Sequence, residues 1–234
     1  SIDWAPKETI IRQAKGSDNW PMTWADDGNL YTAYGDGNGF DPMVPKKLGL
    51  GFARIIGDPP TFQGINIRSP NAEESGFGAK GKKASGMLMV DGVLYVLARN
   101  AGNSTLAWST DGATTWTWAD WKFTTSFGCP TFLNFGKNYE GARDEFVYVY
   151  SHDHDSAYEP ADRMVLARVP KDKVRDRGAY EFFQGIKQGS HLFQGITSTT
   201  LSREEGWHFI QLGRYLERVA ATVNLLDAHL APPV

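Results

Sequence analysis

Asp18 and Asp36 are spaced to do acid–base chemistry if the chain between them folds back on itself. Glycoside hydrolysis needs two carboxyl groups, one as acid and one as base or nucleophile, and their separation sets the stereochemical outcome. The stretch from Ser17 to Gly37, SDNWPMTWADDGNLYTAYGDG, reads as a β-hairpin whose arms meet at Asp26-Asp27-Gly28, with glycine where a left-handed backbone is wanted. Counting outward from that loop pairs Ala25 with Asn29 and, further out, Asp18 with Asp36. Cβ atoms of opposed strand residues lie about 4.5–5.5 Å apart, which permits either the short or the long carboxylate separation. Aspartates at strand ends are also ordinary turn formers and caps, so the residues alone leave catalysis and turn chemistry both open. Pro21 and the glycines around Asp36 invite a bulge that would shift the register.

The same counting brings further polar groups to this rim. Lys82 and Arg99 approach the open end of a second hairpin, and His152, Asp153, Asp155, Tyr158 and Glu159 follow the last strand of a third. Lys82, Lys83 or Arg99 beside an aspartate would favour its ionised form. The expected substrate-binding set is Trp20, Lys82, Lys83, Arg99, His152, Asp153 and Glu159, with Trp20 or Trp24 offering a stacking face to a sugar. A solvated charged rim would look the same. No metal site is expected: His152-Asp153-His154-Asp155 lacks a third well-spaced ligand. Asp36, Asn38 and Asp41 begin like a calcium loop, but Lys47 stands where such a loop has its bidentate Glu. No phosphate loop, dinucleotide fingerprint or zinc spacing occurs, and no cofactor is expected. Cys129, the only cysteine, reads as a small core residue and excludes an internal disulfide.

The elements that must position these groups are short strands. MLMVDGVLYVLARN (Met87–Asn100) repeats MTWADDGNLYTAYGD (Met22–Asp36), with Gly28 and Tyr31 matched by Gly92 and Tyr95. LGLGFARIIGDPPTF is echoed by STLAWSTDGATTWTW and by DRMVLARVPKDKV, and a Pro/Gly/Ser-rich loop is expected over 58–83. Repeats of about four strands are the mark of propeller blades, and a propeller closes with about four to eight of them. Three are expected here, between Ser17 and Phe183. From Ser202 the pattern changes: a capping box at Ser202–Glu205 precedes Phe209, Leu212, Leu216, Val219, Val223, Leu226 and Leu230 at spacings of three and four. The expected fold is thus mainly β, an incomplete, about three-blade propeller over 1–185, a linker over 186–201 and one long amphipathic helix over 202–231. That helix is expected to offer a homo-oligomer contact through 203–230.

A net charge of −3 gives no general attraction to nucleic acid or anionic membrane, and no run approaches a membrane span. No signal-like segment follows Ser1, so the reading is a cytosolic, processed or trimmed chain.

STDGATTW (Ser109–Trp116) nearly matches the Asp-box of sialidase-like propellers, with Ala113 where the box has Gly. GSDNWPMTWADDGNLYTAYGDG, GKKASGMLMVDGVLYV, TWADWKFTTSFGCPTFLNFGKNY and VYSHDHDSAYEPADRMVLARVPKDK together resemble the bacterial DUF4185 family over about 17–183. That resemblance implies a five-bladed propeller, an endo-D-arabinanase or sialidase-like hydrolase, two catalytic aspartates at Asp18 and Asp36, and a secreted or periplasmic location. The expected partner is a polysaccharide or oligosaccharide. The alternative is a non-catalytic carbohydrate-binding or protein-interaction fragment oligomerising through its C-terminal helix. Glu205–Arg218, EGWHFIQLGRYLER, resembles instead the bacterial alpha-E domain family over about 195–230, which implies a fusion of two fragments.

Overall fold

In the computed structural model the chain divides into two units, Ser1–Ile186 and Lys187–Val234. The structure describes residues 6–76 and 78–183, all of them in the first unit. They fold as three antiparallel sheets, each a meander of four strands taken in chain order. The first sheet holds β1 (Met22–Trp24), β2 (Leu30–Tyr34), β3 (Leu48–Ile56) and β4 (Gln63–Ile67), with β5 (Glu74–Ser75) on a second stretch of β3. The second holds β6 (Lys83–Val90), β7 (Val93–Arg99), β8 (Thr105–Ser109) and β9 (Thr117–Lys122). The third holds β10 (Thr131–Phe132), β11 (Phe146–His152), β12 (Met164–Pro170) and β13 (Glu181–Phe183).

Two expectations are corrected here. The three-blade propeller fragment with a long C-terminal helix gives way to a mainly β chain of three sheets. Among the described residues the only helical pieces are 3-10 turns of three residues. No long helix occurs among the described residues, and the one expected over 202–231 lies outside them. Periodicity names the face a helix would bury, whereas helical stability comes from the surface that receives it. The loop expected over 58–83 contains β4 and β5, whose short Gln63-Gly64-Ile65-Asn66-Ile67 alternation is hidden among flanking prolines and glycines.

Alternation explains how the sheets stack. Successive residues of a strand face opposite sides, so the second sheet feeds two cores at once. Leu88, Val90, Tyr95, Leu97 and Leu106 pack with Val147, Val149, Val165 and Val169 of the third sheet. Met87, Met89, Leu94, Val96 and Ala107 pack with Tyr31, Ala33, Leu50 and Phe52 of the first. The far side of the first sheet is covered by Ala14, Phe40 and Val44 from irregular segments. The turn at Ser109–Trp116 joins two sheets as well. Asp111 accepts from Ser109 Oγ (2.8 Å) and from Thr115 N (2.9 Å), and Trp116 stacks on Phe52 with ring centroids 4.7 Å apart.

The leading strands of the three sheets converge, β1 and β10 both lying against β6. One buried hydroxyl ties them. Thr23 Oγ1 accepts from Met89 N (2.8 Å) and donates to Asn134 Oδ1 (2.9 Å), while Asn134 Nδ2 donates to Met87 O (3.1 Å). The segments that enter these strands carry Asp18, Lys83 and Cys129, so the polar rim is built where the three sheets meet.

Candidate active site

The loop at Asp26-Asp27-Gly28 closes as expected, Ala25 N donating to Asn29 O at 2.9 Å. The ladder then runs in register through Trp24–Leu30 to Met22–Thr32. Beyond it the pairing slips by one residue. Asp18 lies opposite Gly35, not Asp36, with Asp18 N donating to Gly35 O (2.9 Å) and Gly35 N to Asp18 O (2.7 Å). The extra residue sits in Asn19-Trp20-Pro21, where Asn19 has φ +58° and Pro21 has no N–H to give the ladder. The opposed pair Asp18/Asp36 is corrected to two carboxylates on neighbouring positions of paired segments.

Close backbone contact holds those segments together. A Cβ on Gly37 would lie 2.4 Å from Ser17 Cα, so only glycine permits the approach. One on Gly35 would lie 3.4 Å from Asp18 Oδ1, which locates the Asp18 carboxylate over Gly35. Asp36 stands between these glycines with φ +46° and turns away from the ladder. Its Oδ1 accepts from Lys83 Nζ in a short ion pair, and its Oδ2 from Gly78 N at 3.1 Å. Lys83 is buried, its side chain only 3% exposed against 22% for Asp36. Burial pushes the Asp36 carboxyl upward, but the hydrogen bonds from Lys83 and Gly78 and the charges of Lys83 and Lys47 outweigh it. The group is therefore held below the usual carboxylate range. Asp18 is exposed, so the two aspartates occupy different environments.

The rim around Asp36 draws on all three sheets. Lys83 is the ladder partner of Arg99, whose guanidinium lies 5.4 Å from the centre of the Tyr158 ring. Tyr158 Oη donates to Gly78 O (3.0 Å) and accepts from Asn100 Nδ2 (3.1 Å), which also reaches Gly81 O at 3.1 Å. Asn19 Nδ2 donates to Ala84 O at 2.7 Å. The chain 78–81 is thereby pinned over Asp36 by a tyrosine from the third sheet.

The other expected site residues divide. Lys82 turns aside to Glu74 Oε1 (3.3 Å) and to the Trp118 ring (4.8 Å). Trp20 packs on Tyr34 and Phe40, with ring centroids 5.5 and 5.4 Å apart. Trp24 is 48% exposed but stands at the turn end, in an apolar cleft of about 420 Å³ with Met22, Leu30, Ile55 and Phe62. His152 Nε2 is 2.7 Å from Ser156 O. Asp153 accepts from Ser126 Oγ and lies 3.4 Å from Arg163 Nε. Glu159 is exposed. Among the described residues no three His, Cys, Asp or Glu side chains group to hold a metal ion. The structure thus brings Asp18, Asp36, Lys83 and Arg99 together and sends Lys82, Trp24 and Asp153 to other partners. Gly78, Asn100 and Asn19 went unread. The signals for the first two were the glycine-rich GFGAKGKK loop and an asparagine next to Arg99.

Asp36, held below the usual carboxylate range by Lys83 and Gly78, is suited to act as a base or nucleophile, and the solvent-exposed Asp18 carboxyl group lies next to it. Asp36 uses two of its roughly four lone-pair positions on Lys83 and Gly78, which leaves it able to accept further hydrogen bonds.

Among protein families, Alpha-E, described as "a predicted alpha-helical domain with a conserved ER motif", matches residues 131–233. The match covers less than half of the chain and starts well before 195. Its first part, 131–183, is the four-stranded third sheet, which a helical description does not fit. No curated protein sequence matches the chain. Among solved structures, the phage phi92 endosialidase is similar at a TM-score of 0.38 and 15% identity, over 76% of this chain and 29% of that one. The chain spans under a third of that protein's length, and a likeness at that level assigns neither fold nor activity.

Proposed function

We propose that the chain is a carbohydrate-acting glycoside hydrolase of endo-arabinanase-like or sialidase-like type, or a truncated form of one, with Asp18 and Asp36 as its carboxylate pair. The observation that carries this reading is the unequal environment of two aspartates held one position apart across a bulged ladder. A carboxyl group kept ionised by a buried lysine cannot deliver a proton at neutral pH, which fits Asp36 to the base or nucleophile role, with Asp18 as the other carboxyl group of the pair. Lys83 sets the charge state of Asp36 and does not touch the sugar. The resemblance of 17–183 to DUF4185 supports the same pair. A polysaccharide lying across the rim would meet side chains from all three sheets.

The test is hydrolysis of arabinan and a panel of other polysaccharides by the purified chain. Asp18→Asn should lower the rate by about 100-fold or more, the scale of general acid–base catalysis. Full activity in that variant would remove Asp18 from the mechanism. Asp36→Asn strands a buried ammonium, so it is assayed together with the neutral pair Asp36→Asn, Lys83→Met, and both should be inactive. A folded wild-type chain that cleaves nothing on the panel would overturn the hydrolase reading. One observation favours a second reading, a non-catalytic carbohydrate-binding module: both oxygens of Asp36 already have partners within the protein.

A further inference from the structure

Three cations stand close together in sequence or register at this rim, and two of them are matched. Lys83 is neutralised by Asp36, and Lys82 lies 3.3 Å from Glu74. Arg99 is not matched. Among the described residues its guanidinium has neither a carboxylate partner nor a hydrogen bond, and its Nε is buried without an acceptor. A buried donor without a partner is costly, and guanidinium presents a fork of donors suited to the two oxygens of one acid group. The Tyr158 ring covers one face of the group at 5.4 Å and leaves an edge for recognition. Arg99 and Lys83 are opposed in the ladder, so their side chains leave the same face of the sheet, on the side of Asp36.

We propose that Arg99, stacked on Tyr158 and followed by Asn100, is the anion-reading group of a subsite beside the Asp36–Lys83 pair. The subsite takes a sugar bearing a single negative charge, as a carboxylate or a sulfate ester. One free positive charge balances one negative charge. A phosphate monoester would bring a second negative charge close to Asp18 and Asp36, which repel it. Tyr158 Oη, which has a lone pair left after donating to Gly78 O and accepting from Asn100 Nδ2, is a polar neighbour for a hydroxyl of that sugar. The position beside the carboxylate pair rests on the hydrolase reading; the binding itself does not.

The experiment is calorimetric titration of the full chain with D-galacturonate, its neutral methyl ester and D-galactose 6-sulfate. Galacturonate is expected to bind and the methyl ester to bind at least about tenfold more weakly, the loss expected when a charge-assisted hydrogen bond is removed. Arg99→Gln should weaken galacturonate binding by a similar factor. Arg99→Lys, which keeps the charge and loses the fork, should fall between the two, with melting temperature recorded for each. Tighter binding of the sulfate ester also supports the subsite and identifies its source. No binding of either anion to the folded wild-type chain would overturn the proposal, as would equal binding of the methyl ester or unchanged affinity in a folded Arg99→Gln. The readout is binding, so a chain that hydrolyses nothing can still pass this test. A chain that cleaves neutral arabinan can still fail it.

Discussion

A single ion pair governs what Asp36 can do, and it makes the residue a structural element as well as a chemical one. Asp36→Asn would leave Lys83, 3% exposed, with an ammonium group and no counter-charge. The expected cost is about 3 kcal/mol, read as a lower urea midpoint. Asp18→Asn, at an exposed position, should stay within about 0.5 kcal/mol of the wild type. The pH dependence follows from the depressed carboxyl of Asp36. Its stabilising contribution is fully present above the ordinary aspartate range and is lost as the pH falls through the folded-state value. Urea midpoints measured from pH 7 down to pH 3 should therefore decline less steeply in the neutral pair Asp36→Asn, Lys83→Met than in the wild type. Parallel declines would mean that the pair contributes nothing to the acid limb. Residue types alone pointed to both aspartates and to a nearby cation. Which of Lys82, Lys83 and Arg99 would take Asp36 was decided by the bulge in β6 between Ala84 and Gly86 and by the contacts Lys82 finds with Glu74 and Trp118.

At the level of elements, the three leading strands are joined by side chains where no ladder hydrogen bonds run between sheets. Thr23 is 3% exposed and serves two of those sheets through one hydroxyl. Thr23→Val keeps the shape, removes the acceptor for Met89 N and the donor for Asn134, and should cost about 1–3 kcal/mol by thermal or urea unfolding. A change below about 0.5 kcal/mol would show that neither group depends on it. The hairpin pattern around Gly28 and Gly92 was readable because turn chemistry and period-two alternation are local. Both glycines take positive φ, +84° and +73°, and Tyr31 and Tyr95 are both buried. The register beyond Pro21 was not readable in the same way. A bulge is a compromise between one strand's missing N–H and the packing of its neighbours, and only the second sheet, accepting Asn19 at Ala84 O, fixes where the extra residue goes.

Across the whole set of sheets, stability should be graded from the middle outward. β7 reads VLYVLAR, an apolar run with little alternation, as expected for a strand covered on both faces. Leu94 to Ala98 are all 5% exposed or less, and β7 pairs on both sides. Amide exchange followed by mass spectrometry should be slowest across β7 and faster by about two orders of magnitude or more at β4 and β13, each paired on one side. Comparable rates in β7 and β13 would contradict a core centred on the second sheet. The mainly β character, the three-fold recurrence of strand groups and the turn at Asp26–Gly28 are legible in the amino-acid order alone. These follow from alternation, turn residues and spacing, which act over a few positions. The one-residue slip that puts Asp18 opposite Gly35, the choice of Lys83 for Asp36, the diversion of Lys82, Trp20 and Trp24 to other partners and the unmatched charge of Arg99 were decided only by the tertiary structure. The slip and the choice of Lys83 depend on a backbone or a counter-charge from another sheet, 65 positions away for Asn19 at Ala84 and 47 for Lys83 at Asp36, and the diversions depend on side chains that folding brings alongside, information that no local pattern carries.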